Sequence, residues 1–367
     1  MISMRILIVS TLKRKVTPDF FASRSRIIYQ LAKGLARKGH EVSLLGTGDS
    51  FIEGVSIIPV VEKGWVDSPP VENEFVRQVA NLLELAKKIV ELQDDFDIVH
   101  SHVYPDFVPA IIENDIKIPL VITLHNLYDF YMDDLMGRFK KTNFISLSNA
   151  YAKLYKKAKI YKTVYNGVDT NLYAYSEKKE DYMFWLARLP KAKNADGSFM
   201  DPKGIRSAIK LAQATGMKLY ISAPVEDHEF FEKDVKPQLN DKIQFVGKPT
   251  TEQSVPLEKI IKLYQHAKVF LMTINQQEPF GLTLAEAGSC GTPVIGFDRG
   301  AVPEVIVNGK TGFVVPYEKG VDGLKEALAK IDQIKLQDCR EYIAKNFSVE
   351  KMVENYEKTY QEILNNK

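Results

Sequence analysis

Two glutamates, Glu278 and Glu286, stand eight positions apart on either side of a predicted helix start. The run 281–290 is typical of a helix, and a glycine and a proline after it end the pattern. Glu278 precedes Pro279, a residue favoured at the first helical position, so Glu278 is predicted to lie in the loop before the helix. Glu286 is predicted to lie on the helix itself, at least one turn further along.

The start of this helix is a predicted anion site. The N–H groups of Gly281, Leu282 and Thr283 have no partner inside the helix, and the positive end of the helix dipole lies at the same place. A carboxylate on each side of a phosphate seat can accept hydrogen bonds from sugar hydroxyls. These residue types at this spacing therefore point to the chemistry of a sugar nucleotide.

The two glutamates belong to a longer pattern, because an isolated pair of glutamates is most often solvated surface. The pattern consists of Glu278-Pro-Phe-Gly-Leu-Thr-Leu-Ala-Glu286, Cys290-Gly-Thr-Pro-Val, Arg299-Gly-Ala-Val-Pro-Glu304 and Gly309-Lys-Thr-Gly312. As a whole it resembles the donor-binding signature of retaining glycosyltransferases of the GT-B fold, in glycosyltransferase family four. The resemblance extends over nearly the whole chain.

The resemblance implies roles for the residues of this pattern. Glu286 matches the glutamate that holds the ribose hydroxyls of the nucleotide, and Glu278 matches the one that meets the transferred sugar. Backbone donors to the sugar and phosphates would come from Phe280, Gly281, Leu282 and Thr283. Lys248 and Pro249 belong to a stretch that matches the backbone framing the base, although an ordinary strand end is an equal alternative there.

Two basic residues are implied to stabilise the leaving diphosphate in place of a divalent metal. Arg188 ends a predicted strand, and Lys203 comes just before the next predicted helix. Family members separate the two by a few residues, whereas this chain inserts a polar loop, 189–202. Lys191 and Lys193 in that loop are rivals to Lys203 for the phosphate role, and a surface arginine beside an ordinary turn is the alternative for Arg188.

In the first half of the chain, Thr123-Leu124-His125 ends a predicted strand and resembles the family pattern T-x-H, whose histidine lies beside the transferred sugar. A structural role is the alternative for a lone histidine at a strand end. His100 and His102 resemble the family H-x-H. We expect these two to pack and to orient loops, because metal binding would need a third ligand that the sequence does not supply.

One segment departs from the family. Where family members carry a glycine pair before the first helix, this chain reads Ala22-Ser23-Arg24-Ser25. Either the close approach of backbone to the phosphates is lost, or Ser23 and Arg24 contact the ligand through their side chains.

Composition supports an ordinary protein of two domains. The 367 residues suffice for two cores, and 49 basic against 47 acidic residues leave a net charge of +2, which argues against a nucleic-acid partner. Cys290 and Cys339 fit no metal or redox spacing, so a reducing, cytoplasmic compartment is expected. The apolar run 6–9 predicts a first strand rather than a signal peptide, and no run approaches the ~18 apolar residues of a spanning helix.

Short β-branched runs alternate with amphipathic stretches in two successive series, which predicts two doubly wound, Rossmann-like parallel sheets. The predicted strands are 4–10, 42–45, 55–59, 97–100, 120–124 and 144–147, then 183–187, 219–222, 243–246, 269–273, 294–297 and 312–315. The expected domains are 1–168, which also holds the tail helix at about 348–367, and 169–347. The GT-B resemblance implies that they face each other across a cleft and that the tail helix crosses back to the first domain. No glycine occurs in 10–25, which disfavours a dinucleotide-binding dehydrogenase.

Two further patterns have structural explanations that are preferred to functional ones. Asp95-Phe96-Asp97 has the form of a D-x-D metal motif, but it precedes a strand and is expected to cap a helix end. A basic helix is predicted from Lys153, Lys156, Lys157, Lys159 and Lys162. A solvated face is the preferred interpretation of it, with weak peripheral contact with an anionic inner membrane face as the alternative.

The sequence thus predicts a retaining hexosyltransferase that uses a nucleoside-diphosphate sugar, such as a UDP or GDP sugar, and no metal or other cofactor. The acceptor would be a hydroxyl of a sugar, a lipid or a small molecule. No residue stands out as a covalent nucleophile, which fits a front-face route in which the leaving phosphate helps to deprotonate the acceptor. The alternatives are a GT-B phosphorylase or nucleotide-sugar epimerase, and a non-catalytic protein that binds sugar nucleotides.

Overall fold

A computed structural model describes residues 3–18 and 23–366 of the chain. The chain divides into two compact units. Unit 1 comprises Met1–Gly167 and Val349–Lys367, and unit 2 comprises Val168–Ser348. Each unit is built on a single parallel sheet with helices, as predicted.

The sheet of unit 1 has the strand order β3-β2-β1-β4-β5-β6-β7, and every pairing is parallel. Its strands are β1 Arg5–Val9, β2 Glu41–Thr47, β3 Ser56–Val61, β4 Ile98–Ser101, β5 Leu120–Thr123, β6 Asn143–Ser146 and β7 Ile160–Thr163. The central strands are buried along nearly their whole length, as expected for a parallel sheet covered on both faces. The order reverses between β1 and β4, so β4 and β5 end near the switch point where such sheets bind ligands.

The helices of unit 1 are α1 Ser23–Arg37, α2 Glu74–Leu92, α3 Phe130–Met136, α4 Asn149–Ala152 and the C-terminal helix Val349–Asn365. The C-terminal helix packs against α1, as predicted for the tail. Its Tyr356 and Tyr360 are fully buried, and its Glu357 forms an ion pair with Lys38 and accepts a hydrogen bond from His40. The tail is therefore part of the core of unit 1.

Unit 2 has the strand order β10-β9-β8-β11-β12-β13, again with parallel pairing throughout. Its strands are β8 Glu180–Leu186, β9 Lys218–Ser222, β10 Ile243–Phe245, β11 Ala267–Met272, β12 Val294–Phe297 and β13 Gly312–Val315. Its helices are α5 Ile205–Thr215, α6 His228–Phe230, α7 Leu257–His266, α8 Leu282–Ser289, α9 Val302–Val305, α10 Gly320–Leu328 and α11 Leu336–Asn346. The order reverses between β8 and β11, and the loops after these two strands carry most of the predicted donor residues.

The predicted basic helix is wrong. Helix α4 ends at Ala152, and Lys162 lies in the edge strand β7, which the sequence analysis did not predict. The physical reason is Asp133, whose buried carboxylate accepts the N–H groups of Lys156 and Lys157 at 2.9 and 3.1 Å. These bonds hold the chain in a turn, so the lysines do not share one helix face.

The D-x-D segment is engaged in structural contacts. Asp95 ends a short 3₁₀ turn, and Asp97 accepts a hydrogen bond from the N–H of Arg5 at 2.8 Å and pairs with its guanidinium at 2.8 Å. Within residues 3–18 and 23–366, no three His, Cys, Asp or Glu side chains come together as a metal-binding group. None of the described helices is both long enough and apolar enough to cross a membrane.

Candidate active site

Two residues from distant parts of unit 2 form the centre of the site. Lys203 lies in the loop before α5, and Glu278 lies in the loop between β11 and α8. The Nζ atom of Lys203 is 3.0 Å from Oε2 of Glu278, and the side chains are only 18% and 14% exposed. Lys193, a rival for the phosphate role, instead pairs with Glu229 at 2.9 Å. The structure therefore places Lys203, rather than Lys193, beside Glu278.

The backbone of Glu278 is held by the segment that follows β12. Gly300 has a left-handed φ of 57°, and a Cβ there would lie 2.2 Å from the carbonyl oxygen of Glu278 and 2.4 Å from its nitrogen. The N–H of Ala301 donates to that carbonyl oxygen at 2.9 Å. Only a residue without a side chain fits against Glu278 in this way. The Arg299–Glu304 part of the sequence pattern thus holds the backbone of Glu278 in place.

The loop that carries Lys203 is fixed by Asp201. The carboxylate of Asp201 accepts hydrogen bonds from the N–H groups of Gly204, Ile205 and Arg206 at 2.8, 3.0 and 2.8 Å. These groups form the start of α5, so that helix start is capped by the protein itself. Burial raises the pKa of Asp201, and the three N–H donors oppose that shift.

The start of α8 has a different character. Gly281 is its N-cap, with a left-handed φ of 84°, and this glycine has no side chain with which to cap the helix. The first intrahelical bonds run from the N–H groups of Leu284 and Ala285 to Gly281, which leaves those of Leu282 and Thr283 directed out of the helix start. The anion site predicted there from the sequence stays a prediction.

The segment ahead of this helix is packed into unit 2. α8 begins at Leu282, so Pro279 lies outside the helix. Pro279 and Phe280 are buried ahead of the helix, where the ring of Phe280 lies 5.7 Å from that of Phe347. That packing holds the segment between Glu278 and the helix.

Glu286 lies inside α8 and is buried. Its Oε2 accepts a hydrogen bond from the hydroxyl of Tyr264 on α7 at 3.0 Å. The sequence analysis did not identify Tyr264, whose apolar-periodic place on α7 gives no sign of a functional contact. The proposed contact of Glu286 with the ribose stays a prediction.

Arg188 and the segment of Lys248 and Pro249 lie at other strand ends of the same sheet. Arg188 follows β8, is 62% exposed, and pairs with Glu226 at 2.8 Å. In the loop after β10, the N–H of Lys248 donates to the hydroxyl of Ser254 at 2.7 Å. None of the described hydrogen bonds or ion pairs joins Arg188 to Lys203 or Glu278, so its predicted role depends on its position at the strand end alone.

The inserted loop 189–202 is folded rather than extended. Lys193 and Phe199 form an antiparallel bridge, and the N–H of Asn194 donates to the carbonyl of Ser198 at 2.9 Å. Lys191 in this loop is exposed. The insertion thus forms a small hairpin that returns the chain to Asp201 and Lys203.

In unit 1, three histidines meet at the carboxyl ends of β4 and β5. Nε2 of His125 is 2.8 Å from Nδ1 of His102, while Nε2 of His100 is 2.8 Å from the hydroxyl of Thr123. His100 also contacts the hydroxyl of Tyr360 and is fully buried, which agrees with the predicted packing role. Burial, with a smaller contribution from the nearby cation Arg24, lowers the pKa of His102 to about 3 and holds that of His125 well below its usual value.

Arg24 reaches this cluster from the first turn of α1. Its guanidinium donates to the carbonyl of Val103 at 2.9 Å and to Oδ1 of Asn126 at 2.8 Å, and it lies 3.4 Å from Oδ1 of Asp106. Ser23 is exposed, and Ala22 lies outside the described residues. Asp106 and Asn126 were not identified from the sequence. The sequence signal that could have found them is weak: Asn126 follows His125 by one position, and Asp106 follows His102 by four.

Comparison with known proteins covers nearly the whole chain. Residues 25–172 match the family model "Glycosyltransferase Family 4", and residues 175–348 match "Glycosyl transferases group 1". The chain is 26% identical to N-acetyl-alpha-D-glucosaminyl L-malate synthase of Bacillus anthracis, over 91% of this chain and 92% of that protein. It is 22% identical to spore coat protein SA of Bacillus subtilis, over 98% of this chain and 99% of that protein.

Solved structures share the fold. Sucrose-phosphate synthase from Thermosynechococcus elongatus superimposes with a TM-score of 0.76 at 18% identity, over 99% of this chain and 100% of that one. Anabaena HepE, solved in complex with UDP-glucose, superimposes with a TM-score of 0.68 at 16% identity, over 98% and 100% of the two chains. At these identities the likeness shows the fold, which is the predicted GT-B fold.

Proposed function

Because the chain belongs to the glycosyltransferases described by these two family models, we propose that it transfers a hexose from a nucleoside-diphosphate sugar to an acceptor hydroxyl. The observation that carries the proposal is the contact of Lys203 with Glu278, which lies shortly before the N-cap Gly281 of α8. An ammonium and free helix N–H groups suit phosphate, and a carboxylate suits a sugar hydroxyl. Their combination within one short region suits a sugar diphosphate.

The donor-binding roles proposed in unit 2 rest on the family resemblance and, for Lys203 and Glu278, also on their contact. Glu278 accepts a hydrogen bond from a hydroxyl of the transferred sugar, and Lys203 holds that carboxylate in place. Because an ammonium carries three N–H donors, Lys203 retains donors for the diphosphate while it remains bonded to Glu278. Arg188 adds a second positive charge for the diphosphate, and the N–H groups at the start of α8 bind its oxygens.

The nucleoside end is proposed to lie further along the same sheet. Glu286 accepts hydrogen bonds from the ribose hydroxyls, and the backbone of Lys248 and Pro249 frames the base. Glu286 already accepts one bond from Tyr264, which orients its carboxylate within the helix. Each carboxylate oxygen has two acceptor positions, so this bond leaves capacity for a ribose hydroxyl.

For His125 we propose contact with the transferred sugar, as the resemblance implies. Its Nε2 is occupied by His102, so Nδ1 is the ring nitrogen left for a sugar hydroxyl. The low pKa of His125 keeps the ring neutral near pH 7, so it exchanges a hydrogen bond with the sugar and adds no positive charge.

The proposed reaction retains the configuration at the anomeric carbon and needs no metal ion. The bond between the anomeric carbon and the leaving phosphate oxygen breaks, and a bond to the acceptor oxygen forms on the same face. The acceptor proton passes to a phosphate oxygen, so the protein supplies no base for it. Arg188 and Lys203 stabilise the negative charge that develops on the diphosphate, the role a metal ion has in other transferases.

A donor screen followed by an acceptor test examines this proposal. UDP-, GDP- and ADP-linked hexoses are added in thermal-shift measurements, because a ligand of the native state stabilises it by RT ln(1 + [L]/Kd). A UDP- or GDP-linked hexose is expected to raise the melting temperature, and Glu278→Gln should reduce the response to the sugar nucleotide more than the response to the free diphosphate. Turnover of the bound donor should then depend on an acceptor hydroxyl. Turnover that requires inorganic phosphate, or sugar isomerisation without an acceptor, would replace the transferase assignment by a phosphorylase or an epimerase.

A further inference from the structure

A buried ion pair in unit 1 has no part in the reaction proposed above. Arg24 and Asp106 face each other at 3.4 Å, the arginine side chain is 18% exposed, and the aspartate side chain is fully buried. Withdrawing such charges from water costs several kcal/mol per ion, so the pair is not explained as a simple source of stability. The groups that these two side chains bind therefore indicate their function.

Asp106 holds the backbone at the proposed sugar-side histidine. Its Oδ2 accepts a hydrogen bond from the N–H of Asn126 at 2.8 Å. The carboxylate thus holds the peptide group that joins His125 to Asn126, just after β5. This bond restrains the backbone on the carboxyl side of His125.

Arg24 connects that aspartate to the two neighbouring loops. One guanidinium nitrogen donates to the carbonyl of Val103 after β4, and the other donates to the side chain of Asn126 after β5. The planar fork of an arginine suits such a bridge, because its donors point in fixed directions. From the sequence, Arg24 was a candidate for contacting the ligand through its side chain. In the structure it contacts the loops around His125.

Arg24 also acts on His125 through its charge. The positive guanidinium opposes protonation of the imidazole, and it is the largest charge contribution to the lowered pKa of His125 after burial. Among the described residues, the other titratable or charged groups near this histidine include His100 and His102 at the end of β4, Asp106 in the loop after it, Tyr151, whose hydroxyl donates to the carbonyl of Asn126, and Tyr356 of the C-terminal helix, whose ring faces His102.

We propose that Arg24 and Asp106 are positioning residues for the transfer reaction. Asp106 fixes the peptide group between His125 and Asn126, and Arg24 bridges the two loops and places a positive charge near the imidazole. The kinetic consequence rests on the proposed function. The structural consequence is that His125 is held in place and has a low pKa. This does not depend on the proposed function, so the two consequences are tested separately.

The structural test uses nuclear magnetic resonance. The ring signals of His125 are assigned with a His125→Gln variant, and their titration is compared in the wild type, Arg24→Gln, Arg24→Lys and Arg37→Gln. Arg37 is the matched control, because it lies on the same helix, is 70% exposed, and is 3.9 Å from its partner Glu53. We expect Arg24→Gln to raise the pKa of His125, since a neighbouring cation is removed. Arg37→Gln should leave it unchanged.

Arg24→Lys separates charge from geometry and serves as a second variant if Arg24→Gln fails to fold. It keeps the cation but lacks the fork, so the pKa of His125 should stay low while the amide of Asn126 exchanges with solvent at least tenfold faster. Asp106→Asn should also speed that exchange, because a neutral amide is a weaker acceptor than a carboxylate. Unchanged titration and unchanged exchange in all three variants would overturn the proposal.

The kinetic test separates positioning from binding. A misplaced group can cost on the order of 10²-fold in turnover. We expect kcat to fall by that order in Arg24→Lys and Asp106→Asn, with the KM for the donor within threefold of wild type. If no transferase activity is found but the titration and exchange change as expected, the proposed function fails and the positioning role stands. A normal kcat in variants that change the titration of His125 or the exchange of the Asn126 amide would overturn the proposed effect on turnover.

Discussion

The ammonium nitrogen of Lys203 lies 3.0 Å from a carboxylate oxygen of Glu278, although 75 positions separate the two residues in the sequence. Both side chains are mostly shielded from water, so their attraction is stronger than that of an exposed pair. The lysine proposed to bind phosphate thus also orients the carboxylate proposed to bind the sugar. Recognition of the two halves of the donor is coupled through this pair.

This coupling predicts that Lys203 and Glu278 act as a unit. Lys203→Ala and Glu278→Ala should each lower turnover by about 10²–10³-fold, the usual cost of one preorganised electrostatic contact. The double variant should lose much less than the product of the two effects, because each single change already disturbs the other residue. Steady-state kinetics of all four proteins measure this. Lys193→Ala is the control, since Lys193 pairs with Glu229. Fully multiplicative losses would show that the two residues act independently.

Arg188 should matter for turnover but not for stability. Its pair with Glu226 is largely exposed, and such pairs contribute about 0–1 kcal/mol. We therefore expect Arg188→Ala to unfold at nearly the wild-type urea concentration and to lose about 10²–10³-fold in kcat. Glu226→Gln removes the same ion pair without removing the cation, and it should keep most of the activity. If the kcat of Arg188→Ala lies within threefold of the wild-type value, Arg188 is not part of the active site.

The two glutamates should differ in what they bind. Hydrogen bonds to charged groups contribute about 1.5–3 kcal/mol, so Glu286→Gln should weaken binding of the free nucleoside diphosphate measurably by calorimetry. Glu278→Gln should spare that affinity and weaken binding of the sugar nucleotide instead. Tyr264→Phe is the structural control for Glu286, because it removes the hydroxyl that donates to Glu286 and keeps the ring. Equal losses of diphosphate affinity in both glutamate variants would refute the division.

Gly300 should be required for the shape of the Glu278 loop. In Gly300→Ala the new Cβ would lie 2.2 Å from the carbonyl oxygen of Glu278, so the loop must move. We expect a loss of both stability and kcat, measured by urea unfolding and kinetics. Gly309→Ala is a matched control: Gly309 has a left-handed φ of 76° but no atom within 4 Å of its Cβ position. It should lose only the left-handed cost of about 1–2 kcal/mol. Equal effects at both positions would show that the contact with Glu278 has no role.

Activity should survive removal of divalent metals. The proposed cations for the diphosphate are Arg188 and Lys203, while Asp97 of the D-x-D segment is paired with Arg5. We expect full turnover in excess chelator and in an Asp97→Asn variant that folds. Loss of activity on chelation that Mn²⁺ or Mg²⁺ restores would instead favour a metal-dependent transferase.

Much of the architecture could be predicted because it depends on local sequence patterns. Strand 294–297 and strand 312–315 were predicted with the bounds that the structure shows, and α8 was predicted within one residue at each end. Continuous apolar runs and helix-ending glycines act over a few neighbouring residues, so they can be recognised in the sequence. Strand β7 was missed because its four half-buried residues, Lys162 among them, lack the apolar pattern of a central strand.

The composition of the candidate site could also be anticipated, but its contacts could not. The sequence by itself determined which residue types are present and, through the spacing of Glu278 and Glu286, that they belong to one loop and helix. Only the tertiary structure decided that Lys203 rather than Lys193 meets Glu278, that Gly300 packs beneath that residue, and that Arg24 holds the loops around His125. These contacts join residues that are tens of positions apart in the chain. They form only when whole strands and helices have packed, so no local pattern records them.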